Sequence, residues 1–261
     1  MKILVLGHRG MAGHMIYEYL NTQTNFEILT ADEILGYKFD VIKNLEEIRT
    51  KLHEQPVNYI INCIGLLKKK CNENPINAII INSLLPYQLV RIADEIDAHV
   101  IHLSTDCYMD DDIYGRSKRA GEINYNNHLT IRTSIIGPEI KKGGEGLFEW
   151  FMRQEGEING YTNVMWDGIT TLELAKFIVY YIASDNKLYG IRNLRSSQKI
   201  SKYDLLNLLN VIYGKNIKIN RFAEVVADKT EKNDFVEYKI PPYDQMIKEM
   251  FDYQHSRFKC L

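Results

Sequence analysis

Tyr114 and Lys118 are the two residues best placed to do chemistry together, four apart in Tyr114-Gly115-Arg116-Ser117-Lys118. On a helix, that spacing sets both side chains on one face, about one turn from each other. A free phenol titrates near ~10, too high to release and regain a proton readily in neutral water. One ammonium at ~4 Å in an effective dielectric of ~20 contributes roughly 4 kcal/mol, or ~3 pKa units, which brings a phenol into the range of a general acid. The spacing therefore points to a proton donor for a carbonyl oxygen. An isolated helix-face pair is usually structural, so its surroundings decide. Ser104-Thr105-Asp106 closes the apolar run 100–104, at the end of a strand where an α/β sheet presents its ligand site. A hydroxyl there can donate to a carbonyl beside the tyrosine, or simply cap the next turn.

A second group lies at the start of the chain. Gly7-His8-Arg9-Gly10-Met11-Ala12-Gly13 places three glycines between an apolar run and a helical pattern. Glycines in that context let backbone N–H groups close on a pyrophosphate, and the following helix aims its positive end at the same anion. An acidic residue ending the second strand would grip a ribose 2′-hydroxyl and favour NAD. Here that strand ends at Thr30 with Asp32 two residues on, while Arg9 in the turn suits a 2′-phosphate. NADPH is the favoured coenzyme, with NADH open as the other.

The elements that must position these groups alternate. Apolar runs at 2–6, 26–30, 59–64, 100–104 and 129–136 read as strands, and helical spacing recurs at 11–20, 45–53, 76–96 and 114–122. Such alternation predicts βαβ units and an α/β fold with a doubly wound parallel (Rossmann) sheet over residues 1–137. Beyond Gly137-Pro138 the pattern loosens. Lys141-Lys142-Gly143-Gly144 reads as a loop, and helices are expected at 171–183, 201–211 and 243–251, with Ser201 as an N-cap and Asp204 three residues on. Residues 138–261 then form a smaller α/β substrate lobe, with the chain free to cross between the two.

With 45% hydrophobic residues the chain can build a sizeable core, and 32 basic against 34 acidic residues leave a net charge of −2. That balance disfavours nucleic acid as a partner. Cys63, Cys71, Cys107 and Cys260 are widely spaced, and the seven histidines show no metal-ligand spacing, so free thiols and no metal are expected. The opening MKILVLG is too short an apolar run for a signal-peptide core, and no later run reaches membrane-span length, which predicts a soluble cytoplasmic protein without a membrane partner.

In this order, the motifs resemble the extended short-chain dehydrogenase/reductases, and within them the dTDP-4-dehydrorhamnose reductase-like (RmlD-like) nucleotide-sugar reductases. Besides the glycine turn, the likeness rests on Phe39-Asp40-Val41, Asn62-Cys63-Ile64-Gly65, Ile81-Asn82-Ser83, Leu103-Ser104-Thr105-Asp106, Tyr114 to Glu122, Ile131-Arg132-Thr133-Ser134 and Gly168-Ile169-Thr170-Thr171. The resemblance implies that Gly7, Gly10, Met11 and Gly13 hold the pyrophosphate and that Asp40 and Val41 border the adenine. It implies that Cys63, Ile64 and Gly65 line the coenzyme and that Asn82 supports the proton-relay geometry. Thr105 would bond the reacting carbonyl, Asp106 would touch the sugar, Tyr114 would be the acid, and Lys118 would bind the nicotinamide ribose and lower the tyrosine pKa. Dimers are common in this family, so a homodimer is expected.

Two features depart from the family. Only eight residues separate Thr105 from Tyr114, with Asp110-Asp111-Asp112 among them as an expected solvated turn. The aromatic substrate residue after Arg132-Thr133-Ser134 is Ile135, so Phe148, Trp150 or Trp166 would have to supply stacking. The wording around Leu147-Phe148-Glu149-Trp150-Phe151 is similar to reductases of UDP-2-acetamido-2,6-dideoxy sugars. The implied activity is reduction of the C4 keto group of a UDP- or dTDP-linked 4-keto-6-deoxy sugar, with or without C3 epimerisation. The alternatives are an epimerase or dehydratase of the same superfamily, using Asp106 or Glu149 as extra acid/base, and a non-catalytic dinucleotide sensor.

Overall fold

The computed structural model describes residues 1–125, 127–141, 143–185 and 187–257. The expectations for Lys142 and Cys260 fall outside these residues. The chain forms two compact units, Met1–Thr133 with Ala183–Arg192, and Ser134–Ile182 with Asn193–Leu261.

The first unit opens β1 (Lys2–Leu6), α1 (Met11–Gln23), β2 (Glu27–Thr30), α2 (Ala31–Leu35), α3 (Leu45–Glu54), β3 (Tyr59–Asn62) and α4 (Lys68–Glu73). A continuous helical run follows, made of α5 (Pro75–Ala78), a π-helical stretch Ile79–Leu84 and α6 (Leu85–Glu95). Then come β4 (His99–Leu103), a 3-10 turn Asp106–Met109, α7 (Ile113–Ala120) and β5 (Leu129–Arg132). The second unit holds β6 (Ile135–Ile136), α8 (Leu147–Met152), β7 (Glu157–Trp166), β8 (Ile169–Thr170) and α9 (Thr171–Ala183). After β9 (Gly190–Asn193) it continues with β10 (Ile200–Ser201), α10 (Lys202–Ile212), β11 (Lys218–Asp228) and α11 (Tyr243–Arg257).

The main sheet has the order β2-β1-β3-β4-β5-β9, and the pairings from β2 through β5 are parallel. Ile3, Leu4, Val5 and Leu6 of β1 are at most 1% exposed. Strands buried on both faces must be apolar throughout, which is why they stand out as unbroken runs. Each such side chain contributes roughly 1.5–3 kcal/mol on burial. Strand order reverses between β1 and β3, so the loops leaving those two strands diverge and open a crevice at their carboxyl ends.

Several elements differ from the sequence-based reading. The run 129–136 splits into β5 and β6, because β6 pairs with β8 rather than extending the main sheet. The first unit runs to Thr133, and the chain returns to it over Ala183–Arg192, which leads into β9, the edge strand beside β5. The second unit builds a three-stranded sheet, β10-β7-β11, from strands with many exposed residues and no apolar run to betray them. Ser201 does cap α10, accepting from the Asp204 N–H at 3.0 Å. The helical run Pro75–Glu95 is long and apolar enough to cross a membrane, and half of that window is buried within the fold.

Candidate active site

The glycine turn owes its composition partly to its own packing. Gly7 has φ 80°, and a Cβ there would lie 2.9 Å from the Cys63 carbonyl carbon at the end of β3. A Cβ on Gly13 would collide with the Gly7 carbonyl oxygen. Both glycines are therefore needed to close α1 onto β1, whatever binds. Gly10 is different: it is the N-cap of α1, its N–H donates to Gly7 O at 2.8 Å, and a Cβ would approach only that oxygen, at 3.3 Å. A glycine without a Cβ at the N-cap, with Met11 opening the helix behind it, suits the close approach of an anion to backbone N–H groups. Arg9 does not stand free. Its guanidinium donates to Asp32 Oδ2 at 2.6 Å, and Asp32 Oδ1 accepts from the Phe39 N–H at 2.9 Å. The two residues that pointed to opposite coenzymes are thus one ion pair. Asp40 is exposed and turns its carboxylate onto the Ile42 N–H, while Val41 packs on the core.

At the end of β3, Asn62 Oδ1 accepts from the Ile64 N–H at 3.1 Å, and its amide nitrogen lies 3.0 Å from His102 Nδ1 on β4. Both residues are fully buried, and they fix the turn Cys63-Ile64-Gly65. Burial pushes the Cys63 thiol up to about 12. Asn82 sits in the π-helical stretch, fully buried. Its Oδ1 accepts from the Leu66 N–H at 2.8 Å, and its Nδ2 donates to Leu66 O and to Ser117 Oγ, each at 3.1 Å. One side chain thereby ties the loop after β3 to α7. A Cβ on Gly65 would be in ordinary contact with Asn82 Oδ1 at 3.5 Å and Lys118 Nζ at 3.7 Å, so Gly65, Asn82 and Lys118 share one site.

Helix α7 presents the proposed chemistry. Asp112 is its N-cap, accepting from the Gly115 N–H at 2.7 Å, and Lys118 and Arg119 occupy its last turn, where cations suit the helix dipole. Three side chains in one stripe meet three successive residues at the end of β4. The Tyr114 and Thr105 side chains are hydrogen-bonded. Lys118 Nζ donates to Leu103 O at 2.7 Å. Ser104 Oγ donates to Glu122 Oε1 at 2.7 Å. Ser104 is thus engaged with Glu122, while the Thr105 hydroxyl caps the 3-10 turn, accepting from the Cys107 N–H at 3.1 Å.

The electrostatics correct one expectation. Burial raises the Tyr114 phenol well above its ordinary pKa, the Thr105 hydrogen bond opposing, and Cys107, Asp106 and Cys71 add to the rise. The buried Lys118 ammonium donates to Leu103 O. Burial pulls Lys118 down to about 8, against the attraction of Glu122.

The short segment between Thr105 and Tyr114 is more than a solvated turn. Lys68 of α4 bonds Asp110 Oδ2 and Asp112 Oδ2, each at 2.9 Å, while Asp111, with its side chain 94% exposed, lies 3.7 Å from Arg116 Nε at the surface. A Cβ on Gly115 would lie 2.5 Å from the carbonyl oxygens of Cys107 and Asp110, so the 3-10 turn is pressed directly onto α7. Asp106 opens that turn and accepts from Thr105 Oγ1 at 3.2 Å. Glu122, Lys68 and Asp112 are the residues that sequence reasoning left without a role. Glu122 four residues after Lys118 was the one legible signal.

In the second unit, Ile135 is partly buried on β6, paired with Ile169 of β8. Phe148 and Trp166 are buried, against Tyr213 and Tyr243 respectively, so both belong to that unit's core. Trp150 is 37% exposed.

Residues 1–209 match the model of the RmlD substrate binding domain family. A comparison with curated proteins returns no match. Among solved structures, the chain is similar to a dTDP-4-dehydrorhamnose reductase from Clostridium acetobutylicum, with TM-score 0.75 and 21% identity over 98% of this chain and 100% of that one. It is also similar to a dTDP-4-dehydrorhamnose reductase from Bacillus anthracis in complex with NADP, with TM-score 0.79 and 17% identity over 97% and 99%. A third is an RMD from Pseudomonas aeruginosa complexed with NADPH, with TM-score 0.74 and 16% identity over 98% and 99%. At these identities the likeness speaks for the fold.

Proposed function

The chain belongs to the RmlD substrate binding domain family, and from that premise we propose that it is a cytoplasmic, NADPH-dependent reductase of the C4 keto group of a nucleotide-linked 4-keto-6-deoxy sugar. The observation that carries this reading is the docking of Tyr114 and Lys118 on Thr105 and Leu103, beside the loop that follows β3. The first unit takes the coenzyme and the second the sugar nucleotide, either dTDP-linked as in dTDP-4-dehydrorhamnose or UDP-linked with a 2-acetamido group. The complexes of the Bacillus and Pseudomonas structures support NADP as the coenzyme class. A homodimer is part of the proposal. Ile76, Ile79, Leu84 and Tyr87 are exposed along the run Pro75–Glu95, apolar surface that a second copy would bury.

The residues present fit a dinucleotide: Gly10 leaves the N-terminus of α1 open to a pyrophosphate, and the side of Gly65 faces Lys118 without a Cβ between them. A bound nicotinamide would supply hydride to the keto carbon. The turn of Gly7, Gly10, Met11 and Gly13 would hold the pyrophosphate, Gly10 through its bare Cα because its N–H is taken by Gly7 O, and Met11 at the opening of α1 through its N–H. Thr105 positions the carbonyl oxygen, and Tyr114 gives it the phenolic proton as negative charge grows there. The raised phenol pKa keeps that proton in place through neutral pH, which suits the reducing direction. Lys118 would bind the ribose next to the nicotinamide.

Purified protein with NADPH and a panel of UDP- and dTDP-linked 4-keto-6-deoxy sugars should consume one coenzyme per 4-hydroxy product. Turnover without net coenzyme consumption would mean an epimerase or dehydratase, and NADPH binding without any turnover would mean a sensor. The Arg9–Asp32 pair predicts that NADH is accepted as well, since Asp32 both draws off the arginine charge and stands ready for a ribose hydroxyl. The pH dependence has a definite sign. Lys118 is charged below about pH 8 and neutral above it. The KM for NADPH should therefore rise as pH passes from 7 to 9, read from initial rates at saturating sugar.

A further inference from the structure

We propose that Lys68 is a positioning residue for the reaction, its ammonium clasping Asp110 and Asp112 so that the Thr105 hydroxyl and the Tyr114 phenol are held at one spacing. The benefit to turnover rests on the reductase reading; the clasp itself does not.

The two carboxylates belong to different pieces of structure. Asp110 goes with the 3-10 turn that Thr105 caps: its N–H donates to Cys107 O at 2.9 Å, and the Cys107 N–H donates to Thr105 Oγ1 at 3.1 Å. Asp112 goes with α7. Its Oδ1 accepts from the Gly115 N–H at 2.7 Å and its carbonyl oxygen from the Arg116 N–H at 3.0 Å. It therefore fixes the first turn of the helix, where Tyr114 is the second residue. Lys68 Nζ reaches Oδ2 of both aspartates, each at 2.9 Å. One cation thus joins the turn bearing the hydroxyl to the helix bearing the phenol.

The backbone of the lysine is anchored as well. Lys68 opens α4, directly after the loop that leaves β3. Leu66, two residues earlier, is held by Asn82 through both its N–H and its carbonyl oxygen. Asn82 also donates to Ser117 Oγ, so this loop is tied to α7 along the helix by Asn82 and at its N-terminus by Lys68. The connection from Thr105 to Tyr114 is short, and the Cys107 and Asp110 carbonyl oxygens abut Gly115. Any shift of the turn is passed straight to the helix.

The lysine side chain is 51% exposed, and a solvated ion pair of this kind adds little to overall stability. Its worth is local. Without the ammonium, two carboxylates that converge on one point repel, and the turn and the helix spread apart. A misplacement of about 1 Å at a reacting group costs up to ~100-fold in rate. The loss should therefore be read in kcat.

Steady-state kinetics on the full chain test this. Lys68→Met should lower kcat at saturating NADPH and keto sugar by ~10-fold, while the Kd for NADPH, from fluorescence titration, stays within ~3-fold. Lys68→Arg should recover kcat to within ~3-fold of the parent, because a guanidinium also offers donors to two carboxylates. Asp110→Asn combined with Asp112→Asn keeps the cap, since asparagine caps as well as aspartate, and should match Lys68→Met. Adding Lys68→Met to that pair should cost nothing further. A parental kcat in Lys68→Met, an equal loss in Lys68→Arg, or losses that add would each overturn the proposal, and so would a Kd that rises as far as kcat falls. Amide exchange needs no substrate. In coenzyme-free protein the Gly115 N–H should exchange ~10-fold faster in Lys68→Met and at the parental rate in Lys68→Arg, and equal rates in all three overturn the clasp. Should Lys68→Met lose its circular-dichroism signature, the paired asparagine variant takes its place in both measurements. Absence of turnover by the parent on every keto sugar would sink the reductase reading and leave the exchange rates to decide the clasp.

Discussion

Replacing Tyr114 by phenylalanine should lower kcat for keto-sugar reduction by ~10²- to 10⁴-fold, the usual contribution of a positioned general acid. The Kd for NADPH should change little, because Lys118 keeps its bond to Leu103 O without the phenol. An acidic tyrosine is not required for this step. As negative charge grows on the keto oxygen, its basicity climbs into the range of the raised phenol, so the proton can move without a lowered tyrosine pKa. What the site supplies is the position of that proton beside Thr105, at no reorganisation cost during the reaction. Single-turnover rates with preloaded NADPH would isolate this step, and a parental rate in Tyr114→Phe would remove Tyr114 from the mechanism.

Gly121→Ala should be the most damaging change outside the reacting groups. The added Cβ would run into the Asn82 carbonyl oxygen and lie 3.1 Å from Ser83 Cα, both backbone atoms that cannot swing aside. Either the end of α7 or the π-helical stretch must move. Asn82 then loses alignment with Leu66 and Ser117, the bonds that hold the loop after β3 to α7. Overpacking of this kind costs ~3 kcal/mol, and at ~2–4 °C per kcal/mol for a chain of this size the melting temperature should fall by roughly 6–12 °C. The folded fraction should also show a reduced kcat, because Lys118 sits on the displaced helix. A thermal melt within 2 °C of the parent (about 1 kcal/mol or less) would show that the contact has slack.

Much of the first unit could be read from residue order, because a parallel strand buried on both faces is mostly apolar along its length. Residues 2–6 and 59–62 announce themselves in that way. The glycine turn and the Tyr114–Lys118 spacing were legible for a similar reason: helical periodicity and the need for absent Cβ atoms are local constraints. The second unit was far less legible. β7 and β11 are largely solvent-facing, so their strand character depends on pairing with each other across some sixty residues, as in Lys218 opposite Glu157. Charge partnerships were equally hidden. Arg9 and Asp32 each suggested a ligand when taken singly, and folding brought them to 2.6 Å of one another. Asp110 and Asp112 looked like a hydrated turn until Lys68, more than forty residues earlier, came to lie between them.

Residue order alone therefore determined the parallel strands, the glycine turn and the helical face bearing a phenol and an ammonium, since each follows from spacing within a dozen residues. Tertiary structure decided which charges neutralise one another, that the phenol is raised rather than lowered, and that Glu122 completes the stripe. Those outcomes depend on burial and on distances between groups remote in the chain, and the field at a buried atom is set by whatever folding happens to bring beside it.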